Sequence, residues 1–196
     1  MSTAPAPLLL ASASPRRREL LYRAGVTFEA CPADVDERVL AGEAPEPYAA
    51  RLAREKALAI ARRAGSESRF ALGADTVVVV GDRIYGKPAG AEDAVRILRE
   101  LRGLTHCVLT AVALARADGD LLRELRVESR VTLREASDPE IRAYVATGEP
   151  LDKAGAYALQ GEGARFVLRV DGSRSNVIGL PLEETLALLR EYGLAR

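Results

Sequence analysis

The stretch ALGADTVVVV, residues 71–80, limits what this chain can become more than any other. Its four consecutive valines are β-branched and favour a strand, and a run without polar alternation belongs to a strand buried on both faces. The Gly81-Asp82 pair then turns the chain, and a second strand returns toward GKP. Asp75 interrupts the apolar run on the same strand face as Val77 and Val79. A carboxylate buried there is costly unless it is paired, hydrogen-bonded or bound to metal. Asp75 is therefore either a strand-end aspartate capping a loop or a metal-binding, water-activating carboxylate at a cleft.

The rest of the chain supplies partners for that strand. LLLAS (8–12) reads as a strand leading into a helix from Pro15 to about Arg23, closed by Gly25. VTFEACPADVDERVL gives a short strand and an acidic loop with Asp34, Asp36 and Glu37, and a helix from about Pro47 to Arg63 follows. Further helices are expected over Ala91–Arg102, from Asp138 to a stop at Gly148, and over Pro181–Tyr192. A second hairpin turns at Asp118-Gly119, with Leu125, Val127, Ser129, Val131 and Leu133 alternating on its return arm. Hairpins mixed with helices predict an α/β (or α+β) fold on a mixed sheet, not a doubly wound parallel one. The 196 residues show no repeat or low-complexity linker and read as a single domain, 1–196.

Charge narrows the function. Basic and acidic residues number 28 each, so the chain has no basic excess for binding a nucleic-acid polymer, and any phosphate ligand is small and locally held. One histidine and two cysteines exclude a His/Cys zinc cluster and a disulfide framework, and fit a reducing cytoplasm. The opening MSTAPAPLLLASAS has the small residues of a leader peptide but no basic start, and its apolar run is too short to span a membrane. Only three of the 28 basic residues are lysine: Lys56, Lys87 and Lys153. A lysine kept in so arginine-rich a chain suggests a place for a compact ammonium that a planar fork would not serve.

Four stretches could carry chemistry. In SASPRRR (12–18), Ser14 is a good N-cap and Pro15 a good first helical residue. Arg16, Arg17 and Arg18 then lie at the positive end of the helix dipole, where exposed cations are disfavoured. Either the three arginines are solvated and tolerated there, or an anion, phosphate above all, docks against the backbone N–H groups and the guanidinium forks. Lys56 falls on the apolar stripe of its helix with Leu52 and Ile60, as a functional ammonium or a snorkelling one. GDRIYGKP (81–88) resembles a P-loop but ends in proline where Mg²⁺ binding needs a hydroxyl, so Lys87 is no P-loop lysine. DKAGAYALQG (152–161) is either a plain turn between elements or a ligand segment, joining Asp152 and Lys153 to glycines that allow close approach and to Gln160, whose amide suits the edge of a base.

Seven stretches in order, SASPRR, DVDE, REKA, GADT, GKP, DKAGAY…QG and GLP, resemble the Maf family of nucleoside triphosphate pyrophosphatases over essentially the whole chain. The resemblance implies a mixed-sheet fold related to inosine triphosphate pyrophosphatases, with two lobes around a central cleft, often as a homodimer. It implies hydrolysis of a nucleotide to its monophosphate and pyrophosphate with a divalent cation, Mg²⁺ or Mn²⁺. Asp75 would be the catalytic carboxylate and, with Asp36, a metal ligand, although close relatives often carry glutamate at position 36. Ser12, Ser14, Arg17, Lys56, Lys87 and Lys153 would bind substrate. Arg16, Thr76 and Gln160 match the subfamily acting on dTTP and UTP, not the sister group acting on 7-methyl-GTP. The rival expectations are a pyrophosphatase for modified nucleotides and a non-enzymatic cell-division regulator that has kept a nucleotide pocket.

Overall fold

Strand β1 (Leu8–Leu10) is fully buried, and Pro15 starts helix α1 (Pro15–Arg23) behind the Ser14 cap. Strand β2 (Phe28–Ala30) precedes helix α2 (Pro45–Arg63). That helix begins slightly before the expected Pro47, because its first turn tolerates both Pro45 and Pro47. Strands β3 (Phe70–Val80) and β4 (Arg83–Tyr85) form the expected hairpin, followed by α3 (Ala91–Leu101). The second hairpin is β5 (Thr105–Arg116) and β6 (Leu121–Leu133), and α4 (Asp138–Val145) opens on a capping box between Ser137 and Glu140. Three 3-10 turns then lead into β7 (Val167–Asp171), α5 (Arg174–Ile178) and α6 (Leu182–Glu191). The five-residue α5 carries no usable periodicity and was not expected from the sequence. The computed structural model describes residues 8–63 and 69–196; the first half of the stretch weighed as a leader lies outside the described residues.

The seven strands make one mixed sheet in the order β2-β1-β3-β5-β6-β7, with β4 on β3. Strand β1 is parallel to both β2 and β3, whereas β4 runs antiparallel to β3 and β7 to β6. The mixed sheet expected from the hairpins is therefore present. Among the described residues no helix is long and apolar enough to cross a membrane.

Two compact units divide the chain. The first takes the chain up to Asp75, Thr110–Val127 and Gly179–Arg196; the second takes Thr76–Leu109 and Glu128–Ile178. The first has a core around Leu8, Leu10, Leu21, Leu72 and Leu180. The core of the second gathers Leu98, Leu101, Ile141, Tyr144 and Phe166.

Gly73 sets a contact inside the first unit. A Cβ there would sit on the carbonyl of Ala53 and 2.6 Å from the amide nitrogen of Ala57. Helix α2 thus lies with its backbone directly against β3, an approach that only glycine permits. Its alanines at 49, 53 and 57 are buried on that side.

Candidate functional site

In the first unit, the close packing of α2 on β3 brings Lys56 to Asp75. The Lys56 ammonium donates to Asp75 Oδ1 at 2.8 Å, and Glu37 Oε1 lies 2.6 Å from the same nitrogen. The lysine and aspartate side chains are 9% and 11% exposed, so this is a buried pair and not a snorkelling lysine. Burial pushes the Asp75 carboxyl up, against the pull of Lys56 and Arg17. Helix α2 also fixes the loop that brings Glu37, because Tyr48 Oη donates to the Glu37 carbonyl at 2.7 Å. Burial, reinforced by the Asp75 and Glu37 charges, pushes the Tyr48 phenol up to about 12.

The acidic loop distributes its carboxylates differently from the sequence expectation. Asp36, read as the metal partner of Asp75, turns outward onto Arg38, with Nη2 2.6 Å from Oδ2 and Nε 2.9 Å from the same oxygen. Hydrogen bonds from Arg38 hold the Asp36 carboxyl down at about 2. The structure brings Glu37, not Asp36, to the ammonium that Asp75 shares. Motif reading passed over Glu37 because adjacent acids in a loop have no period to say which one points inward. The one available signal was Lys56, a cation on an apolar stripe that needs buried counter-charge.

The helix start around residues 12–17 is organised from within. Ser14 Oγ caps α1 by accepting from the Arg17 amide, and Ser12 Oγ accepts from the Ser14 amide at 3.2 Å. Arg17 is buried and folds back onto the backbone: Nε donates to Gly179 O at 2.7 Å, and Nη1 to Ala74 O at 2.9 Å and Ser12 Oγ at 3.2 Å. Burial lowers its pKa, partly offset by Asp75. Arg17 therefore braces the residue next to Asp75, a job that three arginines in a row do not announce. Arg16 is half-buried, and Arg18 is exposed.

The other expected site residues belong to the second unit. Thr76 follows Asp75 on β3 and is half-buried, while Lys87 and Gln160 are exposed. The lysine-bearing segments at 86–88 and 153–155 meet, because the Gly155 amide donates to Gly86 O at 3.2 Å. Gly155 makes this possible with φ +71° and a position where any Cβ would lie 2.9 Å from Val78. Lys153 Nζ donates to Glu149 O at 2.5 Å and to Asp152 Oδ1 at 2.6 Å. Tyr157, on the same segment, shares a buried hydrogen bond of 2.8 Å with His106 Nε2.

Asp75 and Glu37 offer hard carboxylate oxygens, the donors that Mg²⁺ and Mn²⁺ prefer. No group of three or more His, Cys, Asp or Glu able to hold a metal occurs among the described residues. Two carboxylates nevertheless fit a Mg²⁺ ion, which commonly takes one or two from protein and fills its remaining positions with water and substrate phosphates.

A mixed α/β sheet that buries an ammonium shared by two carboxylates, beside a capped helix start carrying arginines, has the equipment for phosphate chemistry. The chain belongs to the family of Maf-like proteins, whose model matches residues 7–192. It is 51% identical over 186 residues to a Geobacter sulfurreducens protein named dTTP/UTP pyrophosphatase, covering 95% of this chain and 96% of that one. It is 54% identical over 188 residues to the dTTP/UTP pyrophosphatase of Anaeromyxobacter dehalogenans strain 2CP-1, covering 95% and 94%. A solved nucleoside-triphosphatase/dITP/XTP pyrophosphatase from Mycobacterium abscessus aligns over 96% of each chain at 14% identity with a TM-score of 0.42.

Proposed function

We propose that this protein hydrolyses dTTP and UTP to the monophosphate and pyrophosphate, as a nucleotide-pool enzyme of the cytoplasm and as a homodimer. The observation that carries the chemistry is the buried Asp75, held on Lys56 together with Glu37. The names of the relatives that share about half of its residues support the substrate.

In this reading water attacks the α-phosphorus and pyrophosphate leaves. Lys56 takes Oδ1 of Asp75 and fixes the carboxylate. Asp75 Oδ2 orients the attacking water and accepts its proton, helped by the upward push that burial gives the carboxyl. Asp75 and Glu37 would hold Mg²⁺ or Mn²⁺, whose chemistry is neutralisation of the phosphate oxygens. Ser12, Ser14 and the N-terminal turn of α1 receive the triphosphate with Arg16, while Arg17 keeps Ser12 and Ala74 in place. Lys87 and Lys153 supply further positive charge, Lys153 by leaving Asp152. Thr76 and Gln160 complement a thymine or uracil edge, which presents carbonyl acceptors and one N–H donor.

The test is a product assay with Mg²⁺ or Mn²⁺ across dTTP, UTP, CTP, GTP and 7-methyl-GTP. Pyrophosphate and monophosphate from dTTP and UTP are expected, with CTP poorer because an amino group replaces a carbonyl. Orthophosphate with a nucleoside diphosphate would refute the cleavage position, and a preference for 7-methyl-GTP would refute the base assignment. Chelation should stop turnover.

A further inference from the structure

Gln160 is exposed and makes no side-chain cap to the 3-10 turn that follows it, Gly161–Phe166. Its position is therefore set by the backbone on either side. On the C-terminal side, the amides two and three residues further on, those of Glu162 and Gly163, are claimed by one distant carboxylate. Glu149 Oε2 accepts from the Glu162 amide at 2.9 Å, and Oε1 accepts from the Gly163 amide at 2.9 Å and from Tyr144 Oη at 3.0 Å. Glu149 itself opens the 3-10 turn Glu149–Asp152, so one side chain ties together the two ends of the segment carrying Lys153 and Gln160.

The local sequence is fitted around that carboxylate. Gly161 has φ +77°, and a Cβ on it would lie 2.5 Å from Glu149 Oε2. At Gly163 a Cβ would run into Tyr144 Oη and lie 2.7 Å from the Ala158 amide nitrogen. Three donors converging on one group demand an acceptor-only head with several lone pairs, which a carboxylate is and a carboxamide is not. Burial works against the charge, yet the Gly163 and Glu162 amides hold the carboxyl below its ordinary range. No step of the hydrolysis described above uses Glu149.

We propose that Glu149 is a positioning residue for base selection, a clasp that places Gln160 by holding the Glu162 and Gly163 amides. The inference rests on the reading that Gln160 meets the pyrimidine edge. Glu149→Gln keeps the shape but turns an NH₂ group toward a backbone N–H, so one end of the clasp opens. The Glu149 carbonyl that receives Lys153 is untouched by this change.

The experiment measures kcat/KM for UTP and CTP in wild type, Glu149→Gln, Gln160→Ala and the double variant, with amide hydrogen exchange on the intact proteins. Glu149→Gln should reduce the UTP-over-CTP ratio by roughly 10–100-fold, the scale of a small misplacement of a reading group. kcat for dTTP should stay within a few-fold of wild type, and amides in 152–163 should exchange faster. The double variant should discriminate no worse than Gln160→Ala alone, because one residue acts through the other. Tyr144→Phe, which removes one of the three donors, is the milder probe should Glu149→Gln not fold, and its ratio should fall by less. An unchanged ratio in these Glu149 and Tyr144 variants, or an equal loss on both nucleotides, overturns the proposal. If Gln160→Ala alone abolishes the preference while Glu149→Gln keeps it, the base reading stands and only the clasp falls. If Gln160→Ala keeps the wild-type preference, the base reading falls and takes the clasp with it.

Discussion

Replacing Asp75 with asparagine separates a functional carboxylate from a structural one, because the structure sets opposite expectations for activity and stability. The change keeps the shape and removes one charge and the basic oxygen. Loss of a positioned base should slow pyrophosphate release by about 10²–10⁴-fold, roughly 2.7–5.5 kcal/mol of barrier. Stability should move the other way. Burial outweighs Lys56 and Arg17, so the folded state keeps the Asp75 proton to a higher pH than the unfolded chain does. Between those two pKa values the folded state binds more protons, and stability falls as pH rises through that window. Above it, the ionised carboxylate is a net cost that an amide would not carry.

Removing the charge leaves Lys56 with Glu37 at 2.6 Å and Arg17 with its carbonyl acceptors at Gly179 and Ala74. On the alkaline side of that window the variant should therefore melt at or above the wild-type temperature, each kcal/mol of relief adding about 2–4 °C. The two melting curves should converge under acid conditions that protonate Asp75. Thermal melts with chelator present, run beside steady-state turnover of dTTP, make the comparison. A melting temperature several degrees lower across the alkaline side of the window, or activity within a few-fold of wild type, would refute the reasoning.

Gly73→Ala should cost about 1–3 kcal/mol in urea unfolding, since α2 must lift off β3, and turnover should fall by up to ~10²-fold as Lys56 moves with it. Glu37→Gln should lower turnover by roughly 10–100-fold, while Asp36→Asn should stay within a few-fold; the reverse order would return the metal site to Asp36. Burial depresses His106 to about 4, so the unfolded chain takes up its proton first as pH falls. The contribution is full above the unfolded value near 6.5 and is lost toward 4, by at most about 3 kcal/mol, so His106→Leu should flatten the melting temperature across that range.

Much of the fold was legible because it rests on local rules. The valine run with its Gly81-Asp82 turn, the alternation from Leu125 to Leu133 and the Ser14-Pro15 helix start each specify an element through nearest neighbours. Hairpins interspersed with helices then favoured a mixed sheet over a parallel one. Asp75 and Lys56 stood out in the same way, each a charge on a face that should be apolar. The sequence could mark both residues as anomalous without saying that they answer each other.

That answer needed the tertiary structure. Lys56 reaches Asp75 because Gly73 lets one backbone lie on another, a contact made between residues distant in sequence. The inward turn of Glu37 and the outward turn of Asp36 follow from Tyr48 and Arg38, and nothing in DVDE itself distinguishes the two acids. Arg17 looked like a phosphate ligand in its tripeptide, yet its guanidinium donates to Ser12 Oγ and to the carbonyls of Ala74 and Gly179, the last two far along the chain. Glu149 carries no local signal in the sequence, and only the return of the chain to Glu162 and Gly163 makes it a clasp. Periodicity and turn chemistry act over a few residues and can be read in order. The pairing of buried polar groups is decided by which distant segments pack together, and a linear pattern does not encode that directly.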